Sequence, residues 1–334
     1  MADANGSNIL FLSGRDIDEC LDMRAAIEAM RLAFRGLSNG TAAMPERARI
    51  DVPTPPGTAL FMPGYLPETH AIGVKTVTLF EQNPHQGRPL IHGLFCLFDA
   101  STGQPMAVLD AARLTAIRTG AASGLATDLL ARRDATRVTI FGAGVQGRTQ
   151  LAAVCQVRPI EAACVYDIDV DRAHHFAEEM TEKLDIAVHV ATQPAAAVRT
   201  TDVICSATVA TRPVFADADL PEGVHINAVG SYKPGVQEIP AATVARARVV
   251  MDCRQAALSE AGDLLEPLRQ KLVTEDMFRV ELGDLVTGKQ AGRATGVQVT
   301  LFKSVGLALE DVAAADVAVR NARRRATGTL IPMN

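Results

Sequence analysis

At 334 residues the chain exceeds one ordinary small domain, and a hydrophobic fraction of 48% excludes disorder. A net charge of −5, three tyrosines and no tryptophan leave neither the basic footprint nor the stacking aromatics of a nucleic-acid binder. The six cysteines are scattered without a C-x-x-C spacing, so neither a disulfide framework nor a structural metal is expected. The opening "MADANGSNIL" lacks the basic and apolar regions of a secretory signal. No window reaches the roughly 18 uninterrupted apolar residues of a membrane span. A cytoplasmic protein is expected, with no nucleic-acid or membrane partner.

In chain order, "DMRAAIEAMRLAFRGLSNG" sets apolar residues at helical spacing and stops at Gly40. The Pro-rich "MPERARIDVPTPPGTALFMPGYLP" admits strands only in short pieces between its prolines. "AIGVKTVTLF", "LIHGLFCLFDA" and "MAVLD" read as strands of an antiparallel meander with a helix at one side. From about Leu109 a long helix rich in small residues follows, "LDAARLTAIRTGAASGLATDLLARR". After it strands and helices alternate, from "RVTIFGAG" through "AACVYD", "IAVHVA", "TDVICSA" and "HINAVG" to "ARVVMD". Such alternation predicts a parallel sheet covered by helices on both faces. "TLFKSVGLALEDVAAADVAVRNARRRA" reads as one closing helix, opened by Lys303 and Ser304.

The sharpest local signal is "VTIFGAGVQGRTQLAAV", with Gly142, Gly144 and Gly147 spaced G-x-G-x-x-G between a strand and a helix. Gly142 permits the tight turn, Gly144 lets a pyrophosphate approach the backbone, and Gly147 lets helix and strand pack. Val145 and Gln146 open the helix, whose N–H groups and dipole favour phosphate. Asp167, 25 positions after Gly142, ends the next strand where an acid grips a ribose 2′-hydroxyl. A carboxylate there repels a 2′-phosphate, favouring NAD, with NADP left open and Asp169 as the alternative acid. Ser206 and Thr208 after one strand, and Val229, Gly230 and Ser231 after another, lie where open α/β sheets hold their ligands.

Several stretches together resemble the ornithine cyclodeaminase/mu-crystallin family: "MPERARIDVP", "GVKTVTLF", "LTAIRTGAASGLA", "IFGAGVQGRTQ", "INAVGSYKPG", "SEAGDL", "ELGDLVTG" and "TLFKSVGLALED". They follow family order over almost the whole chain. The resemblance implies a Rossmann domain, residues 126–304, and an α+β substrate and dimerisation domain, residues 1–125 with 305–334. It places a small amino or imino acid between the two and implies a homodimer. It also implies that Arg47, Lys75 and Arg118 hold the substrate carboxylate. That is chemically apt, because a guanidinium forks onto a carboxylate and an ammonium adds a point charge. Arg49 points to the same side of its strand as Arg47 and is an alternative. Thr115 and Thr119 flank Arg118, His92 lies on a strand of the substrate domain, and family members bring Lys303 near the nicotinamide. Glu260 and Asp263 in "SEAGD" read as helix caps as readily as ligand contacts.

Family activities range over cyclodeamination, amino-acid dehydrogenation and ketimine reduction. Cyclodeaminases place an aspartate two residues after the glycine of "AVG", and here that residue is Tyr232. A phenol is a poor general base at neutral pH. The expected reaction is therefore hydride transfer between a nicotinamide and the Cα of an α-imino acid, with Lys75, Arg118 and Tyr232 catalytic. A cyclodeaminase drawing its carboxylate from Glu238, and a mu-crystallin-like binding protein without turnover, are the alternatives.

Overall fold

The computed structural model describes residues 8–333, so most of the opening stretch read above for a signal lies outside the described residues. The chain begins with β1 (Asn8–Leu12), α1 (Gly14–Cys20) and α2 (Met23–Asn39). Ser13 and Asp16 cap α1 reciprocally, and Asp22 caps α2 by accepting the Ala25 N–H. Gly40, at φ +69°, ends α2 in the left-handed conformation that glycine adopts without strain.

The meander follows as β2 (Ala48–Pro53), β3 (Pro56–Leu66), β4 (Ala71–Leu79), β5 (Ile91–Asp99) and β6 (Pro105–Asp110). β3 corrects the expectation of short pieces, running 11 residues through Pro63. Tyr65 exchanges both backbone bonds with Ala43, on the side away from β4. Pro63, two residues earlier, therefore turns its nitrogen the same way, beyond the last β2 partner at Phe61. No ladder bond to β4 is lost.

The long helix α3 (Ala111–Leu130) leads into β7 (Arg137–Phe141), α4 (Val145–Val157), β8 (Ala162–Tyr166), α5 (Val170–Leu184), β9 (Ala187–Val190), α6 (Pro194–Val198) and β10 (Val203–Ser206). Then come β11 (His225–Ala228), α7 (Ala241–Arg246), β12 (Arg248–Met251), α8 (Arg254–Glu260), α9 (Gly262–Arg269), α10 (Leu282–Val286) and β13 (Thr300–Lys303). The chain closes with α11 (Ala308–Arg325) and β14 (Thr329–Pro332).

Two compact units result, one of residues 1–118 with 307–334 and one of residues 119–306. The division falls inside α3, between Arg118 and Thr119, seven residues before the boundary read from sequence. The first unit holds a seven-stranded sheet ordered β14-β1-β6-β5-β4-β3-β2. β1 and β14 complete it, and neither stands out in the sequence as a strand. Alternate residues of its strands, among them Leu10, Leu12, Met62, Leu66, Phe95, Leu97 and Leu109, are buried on the face that packs on α11. Gly73 makes that approach possible, since a Cβ there would stand 2.2 Å from Phe95 and 3.0 Å from Val312.

The second unit is a parallel sheet ordered β12-β13-β11-β10-β7-β8-β9. Strands run outward from β7 through β8 and β9 on one side and through β10 and β11 on the other, where β13 then lies inside β12; this is a doubly wound Rossmann fold with its switch point between β7 and β10. β7 sends Val138 and Ile140 into one apolar layer and Phe141 into the other. β13 corrects the reading of one closing helix. "TLFK" is a fully buried strand between β11 and β12, and Asp252 accepts bonds from Ser304 Oγ and the N–H groups of Val305 and Gly306 before α11 begins. No helix among the described residues is long and apolar enough to cross a membrane.

Candidate functional site

Each glycine of the fingerprint has a distinct physical reason. Gly142 sits at φ +97°, and a Cβ on it would lie 2.5 Å from the Ala207 carbonyl. A Cβ on Gly147 would lie 2.2 Å from the Gly142 carbonyl, so α4 could not start so close to β7. Gly144 has φ −84° and nothing within 4 Å of its missing Cβ. Neither conformation nor packing within the protein requires glycine there, which leaves an approaching ligand. Gly144 caps α4 with no side-chain bond, so the first-turn N–H groups are available to an anion. The buried Gln146 Oε1 has no protein partner. Arg148, which the sequence reading passed over, ties the loop down. It donates to the Ala143 carbonyl at 2.6 Å and pairs with Glu179 on α5 at 2.7 Å.

The two acids after β8 make different bonds. Asp169 caps α5 by accepting the Arg172 N–H, while Asp167 lies at the strand end and accepts the Ala143 N–H of the glycine loop at 2.7 Å. Around the carboxyl ends of β7, β8 and β10, three adjacent strands, apolar side chains face solvent. Val145 is 59% exposed, Ile168 91% and Val209 93%, a surface suited to the faces of an aromatic base. Glycine cradle, uncapped helix start, strand-end acid and apolar rim together fit a dinucleotide.

The loops after β10 and β11 are pinned by one buried carboxylate, Glu238. Its Oε1 accepts Ser206 Oγ, Thr208 N–H and Thr208 Oγ1, each at 2.7 Å, and its Oε2 accepts the Ser231 N–H at 3.0 Å. Burial, then the neighbouring Asp263, push its carboxyl pKa up. Gly230 makes room, because a Cβ there would stand 2.3 Å from Glu238 Oε2. Asp263 in turn accepts the N–H groups of Glu238 and Ile239 and pairs with Lys303 at 2.8 Å. It is buried in α9 rather than capping it.

These bonds correct several expectations. Ser206, Ser231 and Lys303 have no exposed surface, which places them behind the rim. Both the hydroxyl and the N–H of Thr208 face Glu238, and its methyl group lies beside Gly142. Glu238 itself, fully buried with both oxygens occupied, is not a substitute catalytic carboxylate. Val229 donates its N–H to the Ser206 carbonyl and lies half-buried beside Gly230. Tyr232 is 39% exposed, with the Lys233 ammonium 5.6 Å from its ring centre.

In the first unit, Lys75 on β4 and Arg118 on α3 come together on α11. Lys75 Nζ lies 2.6 Å from Asp311 Oδ2 and donates to Thr115 Oγ1 at 3.3 Å. Arg118 reaches Asp311 Oδ1 through Nε at 3.1 Å and Glu310 Oε2 through Nη1 at 2.7 Å. Glu310 Oε1 also accepts the Leu307 N–H at the start of α11. All four charged groups are at most 5% exposed. The cross-strand neighbours of Lys75 are Met62 and Phe95, both buried, and this apolar setting drives its pKa down to about 8 against the pull of Asp311.

Glu310 and Asp311 escaped the sequence reading, although two adjacent acids in the apolar run "GLALEDVAAADVAV" are the signal of buried counter-charges. Arg47 is half-buried one residue ahead of β2. Arg49, the alternative, is exposed and paired with Asp51 at 2.7 Å. His92 is a correction. It lies three residues from Phe95 on β5, so the two-residue period turns it to the opposite sheet face from Lys75. Thr119 is buried in the second unit, its carbonyl accepting Gln150 Nε2 at 3.3 Å. Thr115 thus belongs to the cation cluster rather than the nucleotide loop.

The comparisons with known proteins agree with this anatomy. The chain is 37% identical over 324 residues to a Bacillus cereus Δ1-pyrroline-2-carboxylate reductase, covering 97% of this chain and 99% of that protein. The structure of Thermococcus litoralis Δ1-pyrroline-2-carboxylate reductase in complex with NADH and L-proline superposes with a TM-score of 0.93 at 40% identity, covering 97% of this chain and all of that one. An archaeal alanine dehydrogenase dimer with bound NAD gives a TM-score of 0.91 at 30% identity, covering 98% and 100%. The ornithine cyclodeaminase/mu-crystallin family model matches residues 8–326, and with the Rossmann unit, its glycine cradle and these relatives, the chain belongs to that family.

Proposed function

We propose that the protein is an NAD-dependent ketimine reductase that reduces Δ1-pyrroline-2-carboxylate, or a close cyclic imino acid, to the amino acid. What carries this reading is the cluster of the first unit, an ammonium able to release a proton near neutrality beside a guanidinium able to fork onto a carboxylate. The Gly142–Gly147 loop and the α4 N-terminus hold the pyrophosphate, and Asp167 takes the ribose hydroxyls and disfavours a 2′-phosphate. The bound nicotinamide supplies a hydride. Arg118, together with Arg47, orients the substrate carboxylate, and Lys75 gives a proton to the imine nitrogen, so that C=N becomes CH–NH. Tyr232 stands at the strand-end position where a cyclodeaminase carries its acid, and the buried carboxylate of Glu238, which accepts the Ser231 N–H, is fully bonded. Both features favour reduction over cyclodeamination.

The first unit presents a second surface. Its sheet face turned away from α11 carries Ile72, Val74, Leu94, Cys96 and Val108, with Ile72 41% and Leu94 51% exposed. We take this face to join two copies in a homodimer, since apolar sheet faces of this kind require cover.

Purified protein with NADH and Δ1-pyrroline-2-carboxylate is expected to oxidise the nicotinamide and yield proline, with NADPH used less well. Ammonia release from ornithine without NADH oxidation by any cyclic or acyclic ketimine would overturn the reading in favour of a cyclodeaminase. Tight NADH binding with no turnover of either class would do so in favour of a binding protein.

A further inference from the structure

We propose that Asp311 is a positioning residue for the reaction above, its two oxygens fixing the Lys75 ammonium and the Arg118 guanidinium relative to each other and so controlling the proton that Lys75 delivers. The inference rests on the ketimine-reductase reading and adds to it a residue that does not touch the substrate.

The geometry assigns different tasks to the two adjacent acids. Asp311 bridges both cations, Oδ2 at 2.6 Å from Lys75 Nζ and Oδ1 at 3.1 Å from Arg118 Nε. Glu310 pairs with Arg118 at 2.7 Å and accepts the Leu307 N–H. The groups that face Lys75 are Asp311 and Glu310 from α11, Arg118 and Thr115 from α3, Met62 from β3 and Phe95 from β5. Two cations and two anions make the cluster neutral overall. Removing the Asp311 charge leaves Arg118 repelling the Lys75 ammonium with only the more distant Glu310 opposing it. Burial and Arg118 already favour the uncharged amine, and Asp311 is the largest influence in the other direction. Its loss therefore strips the proton from Lys75 at lower pH.

The test compares wild type, Asp311→Asn and Glu310→Gln by pH profiles of kcat and kcat/KM with NADH and Δ1-pyrroline-2-carboxylate. Wild-type kcat/KM is expected to fall above about pH 8, as Lys75 loses its proton. Asp311→Asn is expected to move that alkaline limb about one unit toward acid, a roughly fivefold loss at pH 8. Glu310→Gln is expected to raise KM and to move the limb less than Asp311→Asn does, because Glu310 favours the Lys75 ammonium more weakly. A merely structural Asp311 would lower activity equally at every pH, and an unmoved limb overturns the proposal. NADH binding by fluorescence confirms that each variant is folded.

A second readout does not depend on activity. The chain has only six lysines, so the ¹³Cε resonances of labelled protein are resolvable, with Lys75→Arg assigning Lys75. Its titration midpoint is expected to fall in Asp311→Asn, and an unmoved midpoint overturns the inference even if no ketimine is a substrate. Absence of ketimine reduction by wild type, with a shifted midpoint, overturns the functional reading and leaves the Asp311–Lys75 coupling standing. If Asp311→Asn does not fold, Asp311→Glu keeps the charge and displaces it. A midpoint within the wild-type range together with a lowered kcat supports the positioning role, and wild-type values of both overturn it.

Discussion

Gly144 and Gly147 lie three residues apart in one loop, and the same methyl group added to each should act differently. At Gly144 the backbone is in a region any residue adopts and the Cβ direction is open, so Gly144→Ala should leave the melting temperature essentially unchanged. The methyl would occupy the path by which a phosphate reaches the backbone, and NADH affinity should fall about tenfold or more, ~1.4 kcal/mol. At Gly147 the methyl meets the Gly142 carbonyl at 2.2 Å, so Gly147→Ala should cost about 1–3 kcal/mol of folding stability. Thermal melts and NADH titrations of the two variants separate a ligand requirement from a packing one. Unchanged NADH affinity in Gly144→Ala would mean that no phosphate passes there. Both the glycine pattern and Asp167 were legible in sequence, since each depends on a few consecutive residues. The quartet around Lys75 was half legible. Its cations were implied by the family resemblance, but its acids lie 192 and 193 residues beyond Arg118, and further still from Lys75, and meet them only through α11.

Among the elements, the segment after β11 shows how a loop is held by a group remote from its own turn. Glu238 binds the rim loops of β10 and β11 together through four donors, three of them on one oxygen. Glu238→Ala would leave the Ser206 hydroxyl and the Thr208 and Ser231 N–H groups buried without partners. It should lower the unfolding free energy by about 3 kcal/mol, read by urea denaturation, and loosen NADH binding as well. A variant as stable as wild type would show that water or a loop shift replaces those bonds. The elements misread from sequence share a cause with this one. "TLFK" is too short to show a period, and the longer helical pattern after it absorbed it. Its strand character comes from β11 and β12 on either side. β3 runs through Pro63 because the neighbouring β2 has already ended, and that is a property of the sheet.

For the whole molecule, the open face of the first unit's sheet sets the assembly prediction. Leu94 is half exposed between Thr76 and Asp110 in the centre of that face. Leu94→Lys should convert a dimer into a monomer of 35.4 kDa, measured by light scattering, without loss of the folded state. A wild-type protein already monomeric at micromolar concentration would remove the dimer reading.

What the sequence by itself determined is what depends on short-range order. The alternation of strands and helices, the glycine spacing with its following acid, and the ordered run of family stretches each lie within a few dozen consecutive residues. Only the tertiary structure decided which of those residues share a face and which bonds they have already made. It turned His92 away from Lys75, bonded Glu238 on both oxygens, and moved Lys303 from a helix start into a central strand. It also supplied Glu310 and Asp311 as counter-charges. The physical reason is that a buried charge requires a partner, and nothing in the chain's linear order says from which distant segment the partner comes.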